Sequence, residues 1–253
     1  MLRREYFPQN NDDQYYELPP ARRAQTRVTG QAVERALYSQ AVKKASGPGK
    51  LSFGAIRLLG KWDKEGIVRL MKPAIRTGRY PEVWNWASGL VIRKPGKDDY
   101  TPMKANHSTL LVSCMGTVVE TVLTELLSEE AERRGLLRDG QFRTRKGPSS
   151  IDAGAIMVDR AHAAGRHPYI TGGCFMDIKA AISSVAKGRL GYLMKVRQMD
   201  GDHIRWMEIF LSERLFEMIL AGNAMERHPV ETVVPQGSPV SLILFAIYNS
   251  GLI

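Results

Sequence analysis

Two cysteines among 253 residues, Cys114 and Cys174, exclude a disulfide framework and make a reducing compartment the expectation. None of the five histidines stands at zinc-ligand spacing from a cysteine or a second histidine, which argues against a structural zinc site. Long apolar runs are missing too. The longest, Leu242 to Tyr248, falls far short of the roughly 20 residues that span a bilayer. The opening stretch MLRREYFPQNNDDQYYELPP lacks the apolar segment of a signal peptide, so an intracellular, soluble protein with no membrane association is expected. Acidic residues are also in deficit. Against 36 Lys and Arg there are 26 Asp and Glu, a net charge of +10. A surplus of this size favours a polyanionic partner, nucleic acid before anionic membrane, although a merely solvated basic surface has the same composition.

What is present is the composition of a globular protein, 43% hydrophobic and 25% charged. Residues 1–29 are polar, with Pro19-Pro20 and Arg22-Arg23, and are expected to form a loose tail. From Gly30, QAVERALYSQAVKKA predicts a helix broken by SGPGK at 46–50. Ala55, Leu58, Leu59, Trp62, Ile67, Leu70 and Met71 continue at helical spacing up to Pro73. A short strand is expected at Leu90 to Arg93, ended by Pro95-Gly96. SCMGTVVETVLTELLSEEAERRG predicts the best helix, with one apolar stripe and a stop at Gly135. A helix over IDAGAIMVDRAHAA follows, then TGGCFMDIK as a buried strand, helices at 187–199 and 202–213, a hairpin around Glu217 to Val234, and a closing turn and helix. Helices alternate with strands, so the class is mixed, α+β.

Two places carry candidate chemistry. Asp177 closes the apolar run of TGGCFMDIK. A carboxylate at a strand end, joined by the Ile178 carbonyl, can ligate Mg²⁺ through hard oxygens, or it can simply cap a following helix. In VVPQGSPVSLILF, Gly237 permits a backbone conformation barred to other residues, and Ser238 can cap a helix begun by Pro239. Gln236 has no such local duty.

The order of motifs resembles the reverse transcriptase of non-LTR (LINE-type) retrotransposons, most nearly the fungal kind. The resemblance rests on RKPGKDDY at 93–100, KANHSTLLVS at 104–113, QFRTRKGPS at 141–149, DIKAAI at 177–182 and VVPQGSPVSLILF at 233–245. It implies a right-hand polymerase fold, with fingers over 30–168 and an incomplete palm over 169–253. It also implies RNA-directed DNA polymerisation by two-metal phosphoryl transfer with Mg²⁺, an RNA template, a DNA primer and deoxynucleoside triphosphates. Asp177 matches the first catalytic carboxylate, and with Ile178 it would hold the metal. Arg93, Lys94, His107, Ile182, Gln236 and Gly237 match positions around the nucleotide. Lys97, Arg145 and Lys146 fall where nucleic acid would run.

The resemblance has departures. His107 stands where the family has an arginine on the triphosphate, and imidazole offers no permanent bidentate contact. Ile182 replaces the aromatic that bars the ribose 2′-hydroxyl, so weak sugar discrimination is expected. The sequence ends at Ile253 with no x-Asp-Asp motif after the PQGSP turn, while Asp12-Asp13 and Asp98-Asp99 both precede Asp177. On that reading the chain is truncated and inactive alone, and the alternative is a non-catalytic, basic nucleic-acid-binding remnant.

Overall fold

A computed structural model describes residues 28–47, 49–96, 99, 106–137, 140–142, 149–167, 169–173, 175, 181–182, 185–212, 214–220, 223–224, 226–229 and 237–250. Helix α1 (Gly30–Ser39) is capped by Thr29, whose hydroxyl accepts the Ala32 N–H. It ends well before the expected SGPGK break. The reason is Arg57, whose guanidinium gathers the carbonyls of Leu37, Tyr38 and Gln40 and so satisfies the helix end from outside.

The next predicted helix is two. Asp63 ends α2 (Phe53–Trp62) by donating its N–H to the Leu59 carbonyl, and it caps α3 (Lys64–Thr77) by accepting the Gly66 N–H. Helix α3 does not stop at Pro73 but runs through it to Thr77. Its stop is Gly78, at φ 73°, where a β-carbon would lie 2.8 Å from the Trp206 backbone. A short turn of helix, α4 (Glu82–Asn85), leads into β1 (Trp86–Arg93), which starts earlier than the sequence pattern suggests.

Strand β1 pairs antiparallel with β2 (Asn106–Val112) and parallel with β3 (Leu215–Leu220). Short strands β4 (Asn223–Ala224) and β5 (His228–Pro229) both pair with β3, giving the order β2-β1-β3-β4 with β5 off that path. The hairpin read around Glu217 is therefore present and begins at Leu215. The parallel β1–β3 pair requires a long crossover, which the intervening helices supply.

Helix α5 (Cys114–Arg133) is the centre of the molecule. Its N-cap Ser113 accepts the Gly116 N–H, and Gly135, at φ 63°, follows its end. Rather than one apolar stripe it is covered almost all round, with Thr117, Glu120, Ser128 and Glu130 buried beside Val118, Val119, Val122, Leu123 and Leu127. Each large apolar side chain buried there contributes about 2 kcal/mol. Helix α6 (Ser150–Gly165) starts with a capping box between Ser149 and Asp152 and has no buried residue. Helices α7 (Lys187–Val196), α8 (Gly201–Phe210) and α9 (Ser241–Asn249) complete the core. One apolar cluster runs from Ala32 to Ile247. Of the run TGGCFMDIK, Phe175 is described and is 83% exposed, not buried as expected.

Candidate functional site

At one end of the sheet the backbone brings together two stretches that the sequence reading singled out. The β1–β2 ladder sets Arg93 against Asn106 and Ile92 against His107. Lys94 follows, half-buried, before the Pro95-Gly96 turn, where Gly96 takes φ 72°. Residues 93, 94 and 107 thus lie at one end of the β1–β2 pair.

The PQGSP turn enters the described residues at Gly237. Its φ of 98° is a conformation that glycine adopts freely, and among the described residues beyond its chain neighbours none comes within 4 Å of where a β-carbon would stand. Directly after it, Ser238 is buried. Ser238 does not cap the last helix, as the sequence suggested. Helix α9 begins later, with Val240 at its N-cap position and no side-chain cap. The Ser238 hydroxyl instead donates to one carboxylate oxygen of Glu120, and Arg214 Nη2 donates to the other. Arg214, just before β3, is 5% exposed and Glu120 1%.

This anchor has an aromatic wall. The Arg214 guanidinium lies 4.0 Å from the Phe210 ring centroid, Phe210 stacks on Trp206 at 4.3 Å, and Tyr80 meets both edge-on. Burial, and then the Glu120 charge, push the Tyr80 phenol well above its ordinary value, so it stays neutral. A buried ion pair of this kind contributes little net stability, but loss of one partner leaves an uncompensated charge. Its effect here is placement: the Glu120 carboxylate ties α5, the start of β3 and the turn at Gly237 to one point. A second tie joins Gln141, first residue of QFRTRKGPS, to α9 through a 3.2 Å bond to the Ala246 carbonyl.

Ile182 is half-buried and packs against the core. Asp177, Ile178, Lys97, Arg145, Lys146 and Gln236 lie outside the described residues. Among the described residues, no three His, Cys, Asp or Glu side chains gather closely enough to hold a metal ion. Sequence reasoning missed Glu120 and Arg214. The signal for Glu120 was there, a carboxylate between Val119 and Val122 inside a run of core positions.

Among the curated proteins this chain resembles are RNA-directed DNA polymerases of mobile elements. One from mobile element jockey of Drosophila melanogaster is 25% identical over 89% of this chain and 24% of its own length. The jockey enzyme of Drosophila funebris is 27% identical over 89% of this chain and 24% of its own length. The probable RNA-directed DNA polymerase from transposon X-element of Drosophila melanogaster is 22% identical over 86% of this chain, again 24% of its own length. The chain therefore spans about a quarter of the relatives it matches. No protein-family model matches it.

Proposed function

We propose that this chain is the fingers and first palm segment of a non-LTR retrotransposon reverse transcriptase, a unit that binds nucleotide and template for RNA-directed DNA polymerisation. The observation that carries the reading is the likeness to RNA-directed DNA polymerases along 86–89% of the chain. The positive φ of Gly237, on a turn anchored by Ser238, suits a backbone surface on which a nucleotide packs. Arg93, Lys94 and His107 supply donors for its phosphates. The Asp177 carboxylate and Ile178 carbonyl offer the hard oxygens Mg²⁺ prefers, and the ion bound there supplies charge neutralisation for phosphoryl transfer. Ile182 fills the place of the sugar-sensing side chain without an aromatic face.

The test is binding of a fluorescent deoxynucleoside triphosphate, followed by anisotropy with and without Mg²⁺. Binding should require Mg²⁺ and weaken about tenfold or more in Asp177→Ala, a loss on the order of 1.4 kcal/mol. The corresponding ribonucleotide should bind within about threefold of the deoxy form, under 1 kcal/mol of discrimination. Nucleotide binding that ignores both Mg²⁺ and Asp177→Ala would sink the reading. The charge of +10 favours a second one, a basic binder with no catalytic part. That binder would hold RNA with a steep salt dependence and show no Mg²⁺-dependent nucleotide site.

A further inference from the structure

Helices α3 and α8 meet where Gly78 lets the chain approach Trp206, and their outer surfaces leave a groove of about 410 Å³. Its lining is basic: Arg69, Lys72 and Arg76 from α3, and Arg205 from α8, with Asp202 the one carboxylate. Positions 69, 72 and 76 share one helix face, opposite the buried Met71, Ala74 and Ile75. They rise about 4.5 and 6 Å apart along the axis, on the order of the phosphate repeat of a nucleic-acid strand.

Local roles do not exhaust these charges. Asp202 lies in the first turn of α8, where an acid suits the helix dipole, and it pairs with Arg205 at 3.5 Å. Arg69 has Asp63 at 3.8 Å, with both side chains well exposed, a contact worth little. Lys72 and Arg76 have no carboxylate partner among the described residues. The dipole accounts for Arg76 in the last turn of α3. It does not account for Lys72 and Arg69 upstream, nor for Arg205 on another helix.

We propose that the α3–α8 groove binds the phosphate backbone of a nucleic-acid strand, at a site built from none of the residues assigned to the nucleotide. Four cations against one carboxylate give a net positive channel. Its concave form between two helices suits a strand rather than a flat bilayer. Contact is with phosphates, so the site carries affinity and register without sequence preference.

The experiment titrates fluorescein-labelled single-stranded RNA against the whole chain over a range of salt, for three proteins of matched fold by thermal melting. They are the parent, the groove variant Arg69→Ala/Lys72→Ala/Arg76→Ala, and a control of equal charge, Lys43→Ala/Arg160→Ala/Arg166→Ala. The groove variant should lower the slope of log K against log salt by about 2, three contacts at roughly 0.7 each, and weaken binding at least about tenfold. The control should lose clearly less. Equal losses in both variants, or none in the groove variant, would overturn the proposal. So would a groove variant that keeps RNA but releases vesicles containing phosphatidylserine, which would assign the groove to lipid. Mg²⁺-dependent nucleotide binding should be unchanged in the groove variant, so failure of this site and failure of the nucleotide reading are read separately.

Discussion

Two buried glutamates on α5 illustrate how single residues act in this protein. Glu120 accepts from Ser238 and Arg214, and Glu130 accepts from His203 at 2.7 Å, Arg134 at 2.7 Å and the Asp200 N–H at 2.9 Å. For Glu120, substitution by Ala leaves Arg214 buried without its counter-charge and should cost about 3–5 kcal/mol. Ser238→Ala removes one hydrogen bond to a carboxylate and should cost about 1.5–3 kcal/mol. Urea denaturation of both variants checks the ranking, and equal small losses would show that the anchor is not formed. For Glu130, burial raises the pKa, but the His203, Arg134 and Asp200 bonds outweigh it and hold the carboxyl below its ordinary range. A lowered folded pKa contributes stability above the unfolded value of 4.5, and that contribution is lost as pH falls through the folded value. Glu130→Gln should therefore be less stable at neutral pH, with the difference from the parent shrinking below pH 4.5. Melting temperatures across that range read it directly.

At the level of elements, α5 and α6 sit at opposite ends of a scale of burial. Helix α5 is wrapped by α1, α3, α4 and α9 and carries both charge networks. Helix α6 is well capped, with the Asp152 carboxyl held below its ordinary range by the Ser149 N–H and hydroxyl, yet none of its side chains is buried. Caps start a helix, but most helical stability in a protein comes from packing one face. Amide hydrogen exchange should therefore be fast over 150–165, through local opening, and slow over 118–127, where exchange needs global unfolding. Similar protection in the two stretches would show that α6 is packed after all. The α2–α3 junction was hidden at this scale because the apolar spacing runs on through it. Asp63 breaks the pattern only by capping in both directions, and Pro73 is tolerated on the exposed face of α3.

For the whole molecule, the elements closest to regular patterns were legible in the residues: α5, α6, α7 and α8 appear within a few residues of where the sequence placed them, and α1 starts at the expected Gly30 but stops short at Ser39. The resemblance to polymerases of mobile elements was legible too, and relatives of that kind match at 22–27% identity over 86–89% of the chain. Net charge, +10, was likewise legible, since it is a property of residues and not of their arrangement, and it favours a polyanionic partner without deciding between one and a solvated basic surface. Tertiary structure alone decided three things. It set β1 beside β3 in parallel, a pairing that joins residues 86–90 to residues 215–219 across more than half the described core. It took Ser238 away from capping and gave it to Glu120, because a carboxylate buried in α5 needs donors and no nearby segment supplies them. And it gathered Arg69, Lys72, Arg76 and Arg205 into one groove, which no local pattern reveals because its two walls lie on helices far apart in the chain. Periodicity and capping act over a few residues, and a sequence displays them openly. Ion pairs and grooves depend on which elements become neighbours, and that is settled only when the core closes.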